Sequence, residues 1–258
     1  MDLILNSFGT SLNRDNECFV ILHKDGKQRL AIEKEIEILF MNKSGVPVGR
    51  VWSNKYGSVS TIRKGQLNFT FSKDAIEWIK ELICQKMENQ QALILSMNAC
   101  NEADARIVDK TVSMIEDYKS KIMRLSGEVL SDIAPKIRGW EGQASKTYFE
   151  TLNRFIPERY RFTSRSQHPA TDVVNALLNY GYGILYGKIE GCLIKSGIDP
   201  YIGVFHRDDY NRPVLVYDVI ELYRVWVDYV VYSLISQNFI NDEFYSVKSD
   251  GSYWLEGL

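Results

Sequence analysis

The feature that most constrains the fold is a change in hydrophobic pattern near residue 70. Before this point, short apolar runs such as CFVILHKDGKQRLAI and EIEILFM are separated by turn signals. The turn signals are Asp25-Gly26, Ser44-Gly45 and Pro47, residue types that end strands and close hairpins. This pattern predicts a small β domain over residues 1–72.

After residue 72 the apolar residues recur at helical spacing. Ser72 is placed to cap a helix through DAIEWIKELICQKMENQQALIL, and Asn101 is placed to cap the next one. The stretch from Phe155 to Thr171 is the main interruption. We therefore predict an α+β fold, with a small N-terminal β domain (1–72) followed by a larger all-helical C-terminal domain (73–258).

Composition excludes several classes of protein. The 258 residues are 45% hydrophobic and 25% charged, which is typical of a globular protein and not of a disordered one. The net charge is -2, but the segment up to Ser72 has ten basic and seven acidic residues, and the remainder carries net -5. Any nucleic-acid surface must therefore be a local basic patch.

The cysteines and the termini give further limits. The four cysteines lie far apart, without the paired spacing of zinc or redox motifs, so we expect reduced and mostly buried thiols. The start, MDLILNSFGT, does not resemble a secretory signal. The apolar stretch 214–235 contains four charged residues, which would be costly in a bilayer. We expect a cytoplasmic protein with no membrane association.

Two helical segments carry unusual polar patterns. In RGWEGQASKTYFETL, Gly139 and Gly142 flank Glu141, which is typical of either a close approach to the acid or simple helix packing. In TDVVNALLNYGYGIL, a polar stripe runs along an otherwise apolar helix, and it either lines a site or forms a solvated face, although a solvated face usually carries Lys and Glu. Its members are Asp172, Asn175, Asn179 and Tyr182.

The third segment, GVFHRDDYNRPVLVYDVIELYR, places a histidine before an acidic helix. Asp218 and Glu221 are three residues apart and share a helix face among apolar neighbours. His206 precedes them, past a loop with Asp208 and Asp209, and is able to fold back onto that face. Because buried carboxylates need partners or a cation, this arrangement indicates a polar site.

Together with Glu141, this segment supplies one imidazole and two carboxylates. An oxygen-rich set without thiolate suits Mg²⁺ or Mn²⁺ better than a structural zinc ion. The same region holds a basic loop whose arginines alternate with aromatic residues, a composition suited to DNA strands that splay open, although a solvated surface loop has the same composition. The loop comprises Arg154, Arg159, Arg161 and Arg165, with Phe155, Tyr160 and Phe162 between them.

The motifs RGWEGQASKTYF, DVVNALLNYGYGIL, GIDPYIGVFHRDD and LVYDVIELYR follow one another within residues 102–230. In this order and spacing they resemble the CRISPR-associated spacer-acquisition integrases of prokaryotes. The resemblance implies a β domain joined to a helical domain, and a metal-dependent DNA integrase and endonuclease. It also implies dimers bridged by a small ferredoxin-like partner, and metal ligands at Glu141, His206 and Glu221.

The resemblance further implies the substrates and the roles of other residues. The substrates would be double-stranded DNA fragments with single-stranded ends and the repeat and leader of a CRISPR array. A 3′-hydroxyl attacks a phosphodiester, a reaction that a divalent ion promotes. We expect Asp218 to orient His206, Arg224 to reach the phosphate, and Asn175 and Tyr182 to line the site.

The β domain is shorter than is usual in that family, and the chain ends at DGSYWLEGL, where the family continues into another helix. We expect a homodimer, because a short sheet with apolar runs such as EIEILFM has edges and a face to cover.

Two other functions stay open. A tyrosine recombinase would need no metal, but no compact group of arginine and histidine surrounds a tyrosine in the sequence. A non-catalytic helical scaffold for DNA would bind DNA without a metal, so a metal titration separates it from the enzyme.

Overall fold

The structure is a computed structural model that describes residues 2–5, 11–15, 18–23, 26–31, 37–42, 47–51, 60–97, 99–167, 169–206 and 212–256. Within these residues the predicted α+β class is confirmed. The strands are β1 (Asp2–Leu5), β2 (Ser11–Asp15), β3 (Cys18–His23), β4 (Gly26–Ala31), β5 (Glu37–Met41), β6 (Pro47–Val51), β7 (Tyr245–Val247) and β8 (Tyr253–Leu255). The helices are α1 (Ser60–Thr70), α2 (Lys73–Leu95), α3 (Glu102–Met123), α4 (Leu130–Arg154), α5 (Val173–Lys195), α6 (Val214–Ile220) and α7 (Arg224–Ser236).

The N-terminal strands form two three-stranded sheets. In one sheet β1 runs parallel to β5, and β5 runs antiparallel to β6. In the other, β3 pairs antiparallel with β2 and β4, and His23 faces Gly26 across the ladder. This pairing confirms the predicted β3–β4 hairpin. Its turn residue Asp25 and the predicted turn at Ser44-Gly45 lie outside the described residues.

The apolar run of β5 is buried within the chain. The sequence predicted an exposed face here, and that prediction is wrong for Ile38, Leu39 and Met41, all at most 5% exposed. Leu39 packs against α5, where a Cβ added to Gly187 would lie 2.5 Å from Leu39 Cδ2. A larger residue at 187 would require Leu39 to shift, and α5 covers the Leu39 side of the strand that a second copy was expected to cover.

Two elements differ from the sequence prediction. Helix α1, which contains RKGQL, lies inside the segment expected to be β, and it is tethered by Gln66, whose side chain exchanges two hydrogen bonds with the backbone of Asp199 at 3.0 and 2.9 Å. At the other end, β7 and β8 form an antiparallel hairpin, and Tyr253 N donates to Ala170 O at 3.0 Å. The C-terminal region is therefore mainly, but not entirely, helical.

Helices α2, α3 and α4 pack together as a bundle. Both predicted caps are confirmed: Ser72 Oγ accepts from Ala75 N at 3.2 Å, and Asn101 Oδ1 accepts from Asp104 N at 2.9 Å. The apolar sides of these helices face inward and form the main core with parts of α5 and α7. The bundle supplies a rigid wall on which the polar residues of α2 and α4 are placed.

The helix predicted to carry Asp218 and Glu221 is short, and a turn separates it from the next helix. Helix α6 ends at Ile220, residues 221–223 form a turn, and α7 begins at Arg224. Helix α7 crosses α5 closely, since a Cβ at Gly181 would lie 2.5 Å from Val227 Cγ1. Glu221 itself keeps helical backbone angles, so the break comes after it and the helical spacing of Asp218 and Glu221 is retained. Their partners differ, because Asp218 pairs with His206 and Glu221 with Lys86.

The cysteines are less buried than predicted. Cys84 is buried, but Cys100 and Cys192 are exposed, so the prediction of mostly buried thiols is wrong for these two. No helix in the described part of the chain is both long and apolar enough to cross a membrane.

Candidate active site

An open cleft lies between α2, α4, α5, the loop after α4 and the turn between α6 and α7. Its volume is about 1190 Å³ with the open mouth included. Seven of the residues singled out in the sequence line it, and these are Glu141, Gly142, Phe162, Arg165, Tyr182, Glu221 and Arg224. The cleft therefore joins acidic and basic side chains from four separate parts of the chain.

The two predicted acidic ligands meet on one cation, the ammonium of Lys86. Lys86 Nζ forms ion pairs with Glu141 Oε1 and, at 2.5 Å, with Glu221 Oε2. Glu221 Oε1 accepts from Arg224 Nε at 2.9 Å, and Ser145 Oγ donates to Glu141 Oε1 at 3.1 Å. Helices α2 and α4 and the turn after α6 thus bring Glu141 and Glu221 together, as the sequence predicted for this pair.

Sequence reasoning missed Lys86. It lies on the apolar face of α2, at helical spacing from Ile79, Ile83 and Gln90, and its side chain is 8% exposed. A lysine in such a position needs a buried counter-charge, and this was the available signal. The signal is not specific, because Lys80 on the same helix is also buried and pairs with Glu77 at 3.1 Å.

Electrostatics keep this cluster charged. Burial alone would raise the pKa of Glu221, but the charges of Lys86 and Arg224 outweigh it and lower the pKa from 4.5 to about 2. Burial would lower the pKa of Lys86, but Glu221 and Glu141 outweigh it and raise the pKa above its ordinary value. At neutral pH the Glu221 carboxylate and the Lys86 ammonium are therefore both ionised.

The donor set of Glu141 and Glu221 fits a divalent cation. Glu221 Oε2 is buried and, among the described groups, has the ion-pair contact with Lys86 but no well-directed hydrogen bond. An oxygen of this kind is available to a hard cation such as Mg²⁺ or Mn²⁺. Within the described residues, however, no three His, Cys, Asp or Glu side chains are grouped closely enough to hold a metal ion.

The third predicted ligand, His206, is held by Asp218. Buried Asp218 accepts backbone N–H bonds from Val204, Phe205 and His206 at 2.7, 3.1 and 2.9 Å. His206 Nδ1 lies 2.7 Å from Asp218 Oδ1, so the predicted orientation of the imidazole by Asp218 is present. His206 is not among the cleft-lining residues, and the predicted loop residues Asp208 and Asp209 lie outside the described part.

A second buried carboxylate, Asp228, lies below the cleft. It accepts hydrogen bonds from Tyr148 Oη at 2.9 Å and from Tyr182 Oη. Burial raises the pKa of Asp228 from 3.8 to about 6, against the opposing effect of the two hydroxyls and the nearby Arg224 and Arg165. In the sequence, Asp228 is recognisable only as a charge that a bilayer would disfavour. Its local pattern does not identify the tyrosine partners, which come from α4 and α5.

Two arginines lie next to Tyr182, although the sequence showed no tyrosine with the arginine neighbours of a tyrosine recombinase. The guanidinium groups of Arg224 and Arg165 lie 4.7 and 5.7 Å from the centre of its ring. Burial and the charge of Asp228 raise the pKa of Tyr182 well above its ordinary value, and its hydroxyl donates to Asp228. A phenol held in this way is a poor nucleophile, so the arginines do not make it the tyrosine of a recombinase.

The polar stripe of α5 secures the loop after α4. Asn175 is 0% exposed, and its Nδ2 donates to Ser164 O at 2.9 Å. Arg165 donates to Asn175 Oδ1 and, at 3.1 Å, to Asn179 Oδ1, while Asp172 Oδ1 accepts from Asn175 N at 2.7 Å. The expectation that Asn175 lines the site is therefore wrong, because its side chain is fully buried, positions Arg165 and is not part of the cleft lining.

The predicted basic loop divides into two parts. Arg165 lines the cleft, whereas Arg154, Arg159 and Arg161 are exposed and do not line it. Arg154 pairs with Asp104 at 3.1 Å, and Arg159 donates to Asn238 at 3.0 Å.

The aromatic residues of this loop belong largely to the core. Tyr160 and Phe162 are each 6% exposed, and Phe155 packs against the core. Burial therefore leaves little of the Tyr160 and Phe162 rings exposed, although part of Phe162 lines the cleft.

The glycines around Glu141 leave one face of α4 open. A Cβ at Gly139 or Gly142 would meet no described atom within 4 Å, and both residues are exposed. The helix-packing interpretation is therefore wrong, and Gly142 lines the cleft beside Glu141. Among the residues that the structure describes, none crowds this side of the acid.

Comparisons with known proteins agree with this architecture. The family model described as CRISPR associated protein Cas1 matches residues 27–257. The chain is 29% identical over 278 residues to the CRISPR-associated endonuclease Cas1 1 of Archaeoglobus fulgidus, covering 94% of this chain and 80% of the relative. It is 30% identical over 226 residues to the CRISPR-associated endonuclease Cas1 1 of Thermodesulfovibrio yellowstonii, covering 86% of this chain and 68% of the relative.

Solved structures share the fold. A Cas1 protein from Thermotoga maritima matches with a TM-score of 0.80 at 19% identity, over 99% of this chain and 85% of that one. A casposase bound to its integration product matches with a TM-score of 0.78 at 17% identity, over 99% of this chain and 78% of that one. A chain of a Cas6-RT-Cas1–Cas2 complex matches with a TM-score of 0.81 at 20% identity, and this chain spans 99% of its own length but 30% of that one. The extent of the family match shows that the chain belongs to the Cas1 family of CRISPR-associated proteins.

Proposed function

We propose that the protein is a divalent-metal-dependent DNA integrase and endonuclease that inserts captured fragments into a CRISPR array. The observation that carries this proposal is the convergence of Glu141 and Glu221 on one cation at the base of an open, arginine-lined cleft. Carboxylates that share a cation are a common way to hold the Mg²⁺ or Mn²⁺ of phosphoryl transfer.

Several side chains have distinct tasks in this reaction. Glu141 and Glu221 would hold the ion, which when bound makes a 3′-hydroxyl a better nucleophile and neutralises the attacked phosphate. Arg165 and Arg224 present positive charge to the DNA backbone from the cleft wall. Asp218 fixes the imidazole of His206 through Nδ1, so Nε2 is the nitrogen left to bind an ion or accept a proton.

The relatives support the chemistry. Two are named CRISPR-associated endonucleases, and the casposase with the same fold was solved with an integration product. A homodimer and a small ferredoxin-like partner belong to the same proposal. The buried β5 run removes the argument for dimerisation through an exposed apolar face, so the dimer is tested directly by light scattering at micromolar concentration.

The experiment is a strand-transfer assay with purified protein. A labelled duplex with single-stranded 3′ ends is incubated with a plasmid carrying a CRISPR repeat and leader, with the partner protein, and with Mn²⁺ or Mg²⁺. We expect Glu141→Gln, Glu221→Gln and His206→Ala to lower the rate of joining by roughly 100-fold or more. Glu150→Gln, an exposed acid at the rim of the cleft, is the matched control and should join normally.

Two results would contradict the proposal. Full joining in EDTA would exclude the metal, and full joining by Glu221→Gln would exclude the carboxylate pair. Tight DNA binding without joining under any metal condition would instead favour the non-catalytic scaffold.

A further inference from the structure

The ammonium of Lys86 occupies the position that a divalent ion would need. Its Nζ contacts one oxygen of Glu141 and lies 2.5 Å from Glu221 Oε2, so it joins the two carboxylates as a bridging cation does. The side chain is 8% exposed and comes from α2, which packs firmly in the core. The ammonium thus lies on the same two carboxylate oxygens that a divalent ion would use.

The charges of the cluster also disfavour a divalent ion beside the ammonium of Lys86. Glu141, Glu221, Lys86 and Arg224 carry two negative and two positive charges and form one connected cluster. A divalent ion added to the intact cluster would lie a few ångströms from an ammonium in a partly buried site. Like charges at such a distance repel strongly at low dielectric, so the two cations exclude one another.

We propose that Lys86 is the resident counter-cation of the Glu141–Glu221 pair, and that it competes with the divalent ion for the same position. The inference rests on the proposed function in taking a divalent ion as the ligand. Lysine suits this role because its charge sits at the end of a flexible four-carbon stem.

The cleft offers the Lys86 ammonium another partner when a metal ion displaces it from the carboxylates. Lys86 lines the cleft, where the proposed DNA substrate would place its phosphates. An ammonium that leaves the carboxylates can therefore pair with a phosphate in the same cleft. Metal and DNA would then strengthen one another's binding. A bound phosphate stabilises the displaced ammonium of Lys86 and so frees the carboxylates for the metal, and a bound metal releases the ammonium to pair with the phosphate.

The test is a titration of the full chain with Mn²⁺ in the absence of DNA. The concentration of free Mn²⁺ is measured at each step from its electron paramagnetic resonance signal. Lys86→Met removes the ammonium and keeps the length of the side chain. We expect it to bind Mn²⁺ on the order of tenfold more tightly than wild type, or about 1.4 kcal/mol. Lys86→Arg, which keeps the charge, should bind Mn²⁺ like wild type.

Lys80→Met is the matched control. Lys80 is a buried lysine of the same helix that pairs with Glu77 away from the cleft, and its loss should leave Mn²⁺ affinity unchanged. A short DNA duplex should raise the Mn²⁺ affinity of the wild-type protein. The increase should be smaller for Lys86→Met, because this variant has no ammonium for the DNA to stabilise. A purely structural role for Lys86 would lower stability without tightening metal binding.

The outcomes are distinguishable. Equal or weaker Mn²⁺ binding by folded Lys86→Met overturns the role of Lys86 and leaves the proposed function standing. Absence of Mn²⁺ binding in both proteins overturns both proposals. If Lys86→Met is unfolded by circular dichroism without metal, recovery of the fold on adding Mn²⁺ supports the competition, and failure to recover contradicts it.

Discussion

Glu221 and Asp228 are two buried carboxylates seven residues apart, and their surroundings are opposite. Glu221 faces two cations, Lys86 at 2.5 Å and Arg224 at 2.9 Å, and its pKa falls to about 2. Asp228 faces two neutral hydroxyls, those of Tyr148 and Tyr182, and its pKa rises to about 6. Similar burial therefore produces pKa shifts of opposite sign.

The difference shows that the charge of the partners, and not burial, decides which acid can serve a cation. Glu221 is ionised throughout the physiological range and needs a positive charge beside it. Asp228 is close to its titration range and is already satisfied by hydroxyl donors. Arg224 joins the two regions, because it pairs with Glu221 and lies over the ring of Tyr182.

The largest expected effect comes from removing the acid of the charged region. Glu221→Ala leaves the buried Lys86 paired with Glu141 alone, and it removes the ion pair between Arg224 and Glu221. Breaking a buried pair in this way costs about 3–5 kcal/mol of unfolding free energy. Urea unfolding at pH 7 measures it. The exposed Glu150→Ala should change stability by less than about 0.5 kcal/mol, and a similarly small loss for Glu221→Ala would contradict the account.

The second effect concerns the neutral region and has the opposite dependence on pH. Because the pKa of Asp228 is raised from 3.8 to about 6, its contribution to stability is present below pH 3.8 and is lost as the pH rises through 6. Asp228→Asn removes this dependence. We expect the stability of wild type relative to the variant to fall by up to about 3 kcal/mol between pH 4 and pH 7.5.

Urea unfolding of both proteins across this pH range measures the difference. Asp109→Asn removes the same charge from an exposed position of α3 and should follow wild type at every pH. Parallel pH curves for wild type and Asp228→Asn would show that Asp228 is ionised at no cost, and the contrast with Glu221 would disappear.

The smallest effect tests the link between the regions. Arg224→Lys keeps a positive charge near Glu221 but loses the planar contact with Tyr182 and the directed Nε bond. A loss of about 1 kcal/mol is expected in urea unfolding. Arg106→Lys, at an exposed pair with Glu102, should be neutral. A neutral result at both positions would mean that Arg224 contributes charge alone.

The sequence predicted features that depend on local pattern. The caps at Ser72 and Asn101, the α+β class and the pairing of Asp218 with His206 follow from spacing and residue type, and the structure contains them. The resemblance to the integrases also selected Glu141 and Glu221, which the structure brings together at one cation.

Features that depend on contacts between distant segments were not predictable in the same way. Lys86 meets Glu141 and Glu221 across separations of 55 and 135 residues, and nothing local identifies these partners. Asn175 and Tyr160 have polar groups suited to DNA, but tertiary packing buries both. The turn at 221–223 interrupts an apolar pattern that reads as one helix, and α7 begins anew at Arg224, which pairs with Glu221.

The most direct test of the central claim compares Mn²⁺ binding by Glu221→Gln and Asp228→Asn, measured side by side by isothermal titration calorimetry on folded protein. Both variants replace a buried carboxylate by its amide, so they differ only in which region loses its charge. The account predicts that Glu221→Gln loses at least about tenfold in affinity, or ~1.4 kcal/mol, whereas Asp228→Asn binds like wild type. Equal loss in both variants, or loss in Asp228→Asn alone, would contradict the assignment of the cation site to the Glu141–Glu221 pair.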